Sequence, residues 1–94
     1  MAIKANHVDG KEKGKVMLYA LSTCIWCRKT KMFLNELGVA YDFVDVDLLD
    51  SEDQDKAVEI IKKFNPTGGF PTMIIDDKDG IRGFDEEKIR EVLG

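Results

Sequence analysis

The chain of 94 residues has 14 basic and 18 acidic side chains, a formal net charge of −4, and 44% of its residues are hydrophobic. This length fits one small domain that buries roughly 60 to 70% of the surface of its unfolded chain, which excludes a second domain and a deep enclosed cofactor pocket. The composition is that of an ordered globular domain, and the acidic balance makes nucleic acid an unfavourable partner.

The first fourteen residues show neither helical nor strand periodicity. They hold His7, Gly10 and Gly14 among charged side chains, so we interpret residues 1–14 as a flexible leader before a domain at residues 15–94. The sequence lacks an apolar stretch typical of a signal peptide and the run of about 20 apolar residues that a membrane span requires. It therefore predicts a protein of the reducing cytoplasm that does not act at a membrane.

The first half of the domain is predicted to contain a strand, a helix and a second strand. Residues 16–21 are apolar on both faces, which is typical of a central strand. The spacing of one helical face then recurs at Thr30, Phe33, Leu34 and Leu37. Gly38 ends this helix, and the alternating residues 41–47 predict a less buried strand at a sheet edge. A right-handed crossover makes these two strands parallel.

A second helix is predicted to follow the edge strand. Residues 51–54 have the pattern of a capping box, and apolar side chains recur after them at four-residue spacing as far as Phe64. Asn65 and Pro66 then end the helix, because a proline cannot continue it.

The last third of the chain predicts a hairpin and a third helix. Residues 72–75 form a strand, and the turn at residues 76–80 leads into a short strand around Ile81 and Arg82. Asp85 is a suitable N-cap for the last helix. Three residues of this helix are expected to face inward: Ile89, Val92 and Leu93. The predicted order of elements is βαβαββα.

The two cysteines lie at the start of the first helix. Cys24 and Cys27 are separated by Ile25 and Trp26. The unpaired N–H groups and partial positive charge of a helix N-terminus favour a thiolate, so Cys24 is predicted to have the lower pKa and to be the nucleophile. Cys27 lies one turn further along the helix, where it can resolve a mixed disulfide with Cys24. This placement predicts a redox site.

Other interpretations of the cysteine pair stay open. A structural zinc site within one chain needs four ligands, and the only histidine, His7, lies in the predicted leader. Two copies of the chain would, however, supply four cysteines for an iron–sulfur cluster or metal carrier. Free cysteines can also be inert core residues.

Three motifs follow one another in the predicted domain: residues 24–27 at a helix start, residues 70–72 before the third strand, and residues 83–85 before the last helix. In this order they resemble the glutaredoxin family. The resemblance covers residues 15–94. It implies a thioredoxin-like α/β fold with a four-stranded mixed sheet of order 2-1-3-4, flanked by helices. It also implies a dithiol thiol-disulfide oxidoreductase that acts as an electron carrier, with no bound cofactor and no metal ligands.

The resemblance also implies roles for residues around the cysteines. The bond between Phe70 and Pro71 would be a cis peptide beside the cysteines, and the backbone of Phe70 would pair with a substrate strand. Further substrate contacts are expected at Thr23, Ile25, Trp26, Arg82, Gly83 and Asp85.

Departures from the family pattern concern the electron donor. Members that use glutathione usually have Pro-Tyr between the cysteines, a basic residue three positions before the first cysteine, and a Gly-Gly pair two residues before an aspartate. Ile25-Trp26, Leu21 and Arg82-Gly83 occupy these places.

This pattern is nearer to redoxins that thioredoxin reductase reduces and that supply ribonucleotide reductase, although their Ser-Gly-Phe-Arg-Pro stretch is absent. We therefore expect glutathione or a thioredoxin-reductase system as donor. The expected clients are disulfide-containing proteins, with ribonucleotide reductase as one candidate, and the protein is expected to be a monomer.

Overall fold

The computed structural model describes residues 5–94, so the first four residues of the predicted leader at residues 1–14 lie outside the described part of the chain. The described residues form five strands and three helices. These are β1 (Asn6–Val8), β2 (Val16–Ala20), α1 (Ile25–Leu37), β3 (Tyr41–Asp45), α2 (Ser51–Phe64), β4 (Thr72–Ile75), β5 (Asp79–Arg82) and α3 (Glu86–Leu93), with a 3-10 turn at Val46–Leu48 after β3.

The sheet has β2 at its centre, as its apolar sequence predicts. Its strand order is β1-β3-β2-β4-β5. β2 is parallel to β3 and antiparallel to β4, which forms an antiparallel hairpin with β5. The predicted order 2-1-3-4 is therefore confirmed for the four strands from β2 onward. Leu18 and Tyr19 on opposite faces of β2 are 0% and 4% exposed, because helices cover both sides.

The prediction of an unstructured leader is wrong for Asn6–Val8. This segment is β1 and pairs antiparallel with β3, so the sheet has five strands instead of four, and β3 is not an edge strand. After β1, Lys11 donates its N–H to the carbonyl of Gly38 at 2.8 Å and accepts from the N–H of Ala40 at 2.8 Å. A three-residue strand is too short to show periodicity, so only its long-range pairing reveals it.

The first two helices begin and end near the predicted residues. α1 ends at Gly38, whose φ of 69° is in the left-handed region that favours glycine. α2 is capped by Asp50, whose carboxylate accepts from the backbone N–H of Asp53 at 2.9 Å. The predicted capping box at residues 51–54 is therefore one position late, because Ser51 is already helical.

The last helix packs only one narrow face on the core. Asp85 caps α3 as predicted and accepts from the N–H of Lys88 at 3.1 Å. Ile89 and Leu93 are buried, whereas Val92, which was expected to face inward, is 42% exposed. A four-residue spacing brings Ile89 and Leu93 to one face of the helix, and Val92 lies beside that face.

Helices on both faces of the sheet divide the interior into two cores. α1 and α3 cover one face, where Leu18, Leu34 and Cys27 are buried. α2 covers the other, where Tyr19 and Ile61 are buried. Among residues 5–94, no helix is long and apolar enough to cross a bilayer.

Candidate active site

Cys24 occupies the N-cap of α1. Its backbone is extended, with φ −84° and ψ 121°, and the helix begins at the next residue. Burial raises the pKa of its thiol, but hydrogen bonds from the Cys27 backbone, the Cys27 thiol and the Trp26 backbone outweigh that effect and leave the pKa below its ordinary value. The unpaired amides at a helix start therefore stabilise a thiolate at Cys24.

Cys27 has a different environment one turn further along α1. Its side chain is 0% exposed. Its sulfur accepts a hydrogen bond from the backbone N–H of Leu21 at 3.4 Å. Burial raises the pKa of the Cys27 thiol to about 12, because the core disfavours a charged sulfur. The pair thus combines a partly exposed thiol of lowered pKa with a buried thiol of raised pKa.

The loop that joins β2 to α1 is fixed by hydrogen bonds at both ends. Ser22 donates its backbone N–H to Asp47 at 2.8 Å, and its hydroxyl donates to the same carboxylate. The Ser22 hydroxyl holds the pKa of Asp47 below its ordinary value. Within the loop, the N–H of Cys24 donates to the carbonyl of Leu21 at 3.2 Å. No sequence pattern singles out Asp47, which is one of several acidic residues between positions 42 and 55.

The bond between Phe70 and Pro71 is cis, as the resemblance implies. Thr72 is opposite Tyr19 in the antiparallel β2–β4 pair. Residues 70 and 71 therefore lie at the end of the sheet where β2 leads into the cysteine loop. Phe70 and Cys24 both pack against the core that holds Cys27. The backbone N–H and C=O of Phe70 make no hydrogen bond to any residue from 5 to 94, so both are unpaired within the described chain.

A buried asparagine holds the loop in front of the cis proline. Asn65 is 3% exposed, and its amide donates to the Thr72 hydroxyl at 3.1 Å and to the Gly69 carbonyl at 3.4 Å. The Thr67 hydroxyl donates to the Asn65 side-chain oxygen at 2.7 Å, and the Thr72 hydroxyl donates to Gly69 at 2.7 Å. The sequence analysis assigned Asn65 only to the helix end, because its partners belong to the loop and to β4.

An aromatic surface adjoins Cys24. Trp26 is 53% exposed and Ile25 is 61% exposed. The Trp26 ring stacks on Phe84, with centroids 6.2 Å apart, and Phe84 meets Phe33 edge-on at 5.8 Å. The Lys29 ammonium lies 4.7 Å from the centroid of the Trp26 ring. Trp26 is therefore held in place by its neighbours while much of its ring stays accessible.

The remaining predicted contact residues lie around the same end of the sheet. Thr23 is exposed beside Cys24. Arg82 is exposed at the end of β5 opposite Thr72. Gly83 has a φ of 71°, and a Cβ there would meet no atom within 4 Å. Asp85 lies further out as the cap of α3, which commits one carboxylate oxygen to the helix.

Metal-binding side chains do not cluster in the described part of the chain. Residues 5–94 contain no group of three His, Cys, Asp or Glu side chains placed to hold a metal ion. Cys24 and Cys27 are both free thiols.

The fold and the site define a thioredoxin-like protein with a dithiol at a helix start and a cis proline beside it. A sequence-family model described as Glutaredoxin matches residues 16–79. The match covers more than half of the chain, so this protein belongs to the glutaredoxin family. The resemblance inferred from its motifs is thereby confirmed.

Individual relatives agree with this membership. A crystal structure described as the glutaredoxin of Methanosarcina mazei Go1 is 51% identical, with a TM-score of 0.91 over 98% of this chain and 89% of that chain. The methanoredoxin of Methanosarcina acetivorans is 48% identical, with a TM-score of 0.88 over 90% of each chain. An uncharacterized glutaredoxin-like 8.6 kDa protein in the rubredoxin operon of Clostridium pasteurianum is 32% identical over 83% of this chain and 96% of its own.

Proposed function

We propose that this protein reduces disulfides by a two-step dithiol reaction. The Cys24 thiolate attacks one sulfur of a substrate disulfide, forms a mixed disulfide and releases the other sulfur as a thiolate. Cys27 then loses its proton and attacks the Cys24 sulfur. The second substrate thiolate leaves, and a Cys24–Cys27 disulfide remains. The observation that carries this proposal is the unequal environment of the two sulfurs at the start of α1.

The mixed disulfide itself favours the second step. In the free dithiol, the Cys24 sulfur accepts a hydrogen bond from Cys27, and its negative charge adds to the burial that raises the Cys27 pKa. Once Cys24 is bound to substrate, that charge is gone, while the N–H of Leu21 still donates to the Cys27 sulfur. The Cys27 pKa should therefore fall when its thiolate is required.

The surroundings of Cys24 support docking of a polypeptide. The unpaired backbone N–H and C=O of Phe70 can accept an extended substrate segment as an added strand. Ile25 and Trp26 offer exposed apolar area beside the nucleophile. We propose that Thr23, Arg82, Gly83 and Asp85 border the same docking surface.

We further propose that a thioredoxin-reductase system is the electron donor. Leu21 is half-buried and uncharged where glutathione-dependent members carry a cation, and Arg82 is an exposed cation at the end of β5, which β4 separates from β2. The proposed clients are protein disulfides, including that of ribonucleotide reductase. The clostridial relative's rubredoxin operon is consistent with redox-protein partners. Such a dithiol would work in a reducing compartment such as the cytoplasm.

Single cysteine variants test the proposed order of attack. Cys24→Ser should abolish reduction of a peptide disulfide, because the hydroxyl of serine does not ionise near neutral pH. In the Cys27→Ser variant, Cys24 should still attack the substrate disulfide, but the mixed disulfide should accumulate. Intact-protein mass spectrometry detects this adduct. The order would be wrong if Cys24→Ser kept the wild-type rate or if Cys27→Ser formed no adduct.

The electron donor is tested by NADPH oxidation with a fixed disulfide substrate. One reaction contains glutathione and glutathione reductase, and the other contains thioredoxin reductase. We expect the second to support at least as much activity as the first. A strong preference for glutathione would show that Leu21 and Arg82 do not weaken glutathione binding.

A further inference from the structure

A cleft of about 590 Å³ lies on the sheet face that α2 covers. Its apolar lining comes from β2, β4 and the second half of α2, and consists of Met17, Tyr19, Ile60, Phe64 and Ile74. The volume is within the range of about 300 to 1,000 Å³ that is typical of small-molecule sites. Cys27 and α1 belong to the opposite face of the sheet, so the cleft is separate from the candidate active site.

The hydroxyl of Tyr19 gives this apolar cleft a polar group. Tyr19 lines the cleft and is 4% exposed. Its hydroxyl has no hydrogen-bond partner in residues 5–94. The oxygen keeps some contact with solvent, because none of the fully buried polar side-chain atoms in these residues lacks a partner. Burial raises the pKa of Tyr19, and the nearby charge of Asp77 adds to that effect. The hydroxyl therefore stays protonated and is an unused donor.

The rim of the cleft carries more positive than negative charge. Lys15, Lys56 and Lys63 line it together with Glu59 and Asp77. Lys15 forms an exposed ion pair with Asp77 at 2.9 Å, which offsets part of the charge of that carboxylate. Within the described residues, Lys56 and Lys63 have no ion-pair partner within 4 Å. This surplus contrasts with the formal charge of −4 for the whole chain.

We propose that this cleft binds a small amphipathic carboxylate, such as a medium-chain fatty acid. Its hydrocarbon body would lie against Met17, Ile60 and Ile74. Its carboxylate would accept from the Tyr19 hydroxyl and lie near Lys56 and Lys63, on the side away from Asp77. A charge-assisted hydrogen bond to this donor favours a carboxylate over a neutral molecule of the same shape.

The probe for a first test is octanoate, with octan-1-ol as a neutral molecule of the same chain length. Both are titrated into the reduced, ¹⁵N-labelled wild-type protein while amide chemical shifts are followed. We expect saturable shifts for β2, β4 and the second half of α2, and none at the Trp26 indole. Octanol should bind about tenfold more weakly, because it lacks the charge.

Four variants assign the binding to individual groups. Tyr19→Phe should weaken octanoate binding about tenfold and octanol binding much less, because the octanol hydroxyl is an uncharged acceptor. Lys56→Gln should weaken octanoate binding a few-fold, whereas Glu59→Gln should strengthen it, because it removes a competing negative charge. Lys62→Gln is the matched control, because it changes an exposed lysine of α2 that does not line the cleft.

Three results would overturn the proposal. The first is that the chemical shifts do not saturate up to about 10 mM octanoate. The second is equal affinity for octanol and octanoate, and the third is that the largest chemical-shift changes occur at Ile25 and Trp26. Unchanged binding by both Tyr19→Phe and Lys56→Gln would also reject the assigned groups. The cysteines play no part in these measurements, so their outcome is independent of disulfide reduction.

Discussion

At the residue scale, the two cysteines have the same chemistry but opposite environments. Cys24 lies at the helix end among unpaired N–H groups, whereas Cys27 lies in the core at 0% exposure. A helix N-terminus stabilises negative charge, and an apolar core destabilises it. Two sulfurs that are three residues apart therefore ionise over different pH ranges.

Alkylation with iodoacetamide should separate these two ionisations. Because hydrogen bonds lower the Cys24 pKa, its thiolate fraction and alkylation rate should rise at a lower pH than those of a cysteine in the unfolded chain. Cys27, with a pKa of about 12, should stay unmodified throughout the neutral range. Peptide mapping by mass spectrometry gives each rate. The proposed lowering of the Cys24 pKa would be contradicted if the pH midpoint of Cys24 alkylation were at or above that of a cysteine in the unfolded chain.

Asn65 is predicted to position the loop in front of the cis proline, and through it the proposed docking of substrate at Phe70. Asn65→Ala removes its hydrogen bonds to Thr67, Gly69 and Thr72, so the free energy of unfolding should fall by about 2 kcal/mol. Since Phe70 follows this loop, kcat/KM for a peptide disulfide should fall about tenfold or more. The alkylation rate of Cys24 should not change, because Cys24 is held by other residues.

Thr67→Val is the matched control for Asn65. It removes one hydrogen bond of the network at an exposed position, and should reduce kcat/KM much less. If Asn65→Ala lost stability but kept its full kcat/KM, the network would be structural only.

At the element scale, β1 and the residues after it are part of the folded domain. The strand pairs with β3, and Gly10 then passes so close to the 38–40 backbone that a Cβ would lie 2.6 Å from the Val39 carbonyl carbon and 2.7 Å from the Gly38 oxygen. Real side-chain atoms do not approach backbone so closely. Gly10 therefore allows the segment after β1 to dock.

Gly10→Ala should displace this segment. We expect a loss of about 1 to 3 kcal/mol in the free energy of unfolding, measured by urea denaturation. Amide hydrogen exchange should become faster in β1 and at Ala40, but not in β4. Glu12→Ala, at an exposed position in the same segment, is the control and should have little effect. Wild-type stability for Gly10→Ala would indicate that this segment is not docked in solution.

At the scale of the whole molecule, the burial of Cys27 argues against a cluster shared by two chains. Four cysteines from two copies would have to reach one metal centre, but Cys27 is fully covered by its own core. We therefore expect the anaerobically purified protein to be a colourless monomer of 10.6 kDa by sedimentation equilibrium. A brown dimer after reconstitution with iron and sulfide would favour the cluster carrier instead.

The sequence by itself determined the features that depend on neighbours along the chain. The apolar run of β2, the periodicity of α1, its end at Gly38 and the cysteines at its start are all local. The cis proline in the motif at residues 70–72 was also predicted correctly, but that prediction came from resemblance to a family and not from a local pattern. Local patterns of this kind fix local conformation, and short connections then restrict how the elements can pack.

Only the tertiary structure decided which distant polar groups meet. β1 pairs with a strand about 35 residues away, Ser22 binds Asp47 across 25 positions, and Asn65 joins a helix end to β4. Such contacts leave no periodic signal, because each depends on a single pair of groups brought together by folding. Tertiary packing also buries Cys27 and leaves Cys24 accessible, and that difference turns two similar cysteines into a proposed nucleophile and its resolving partner.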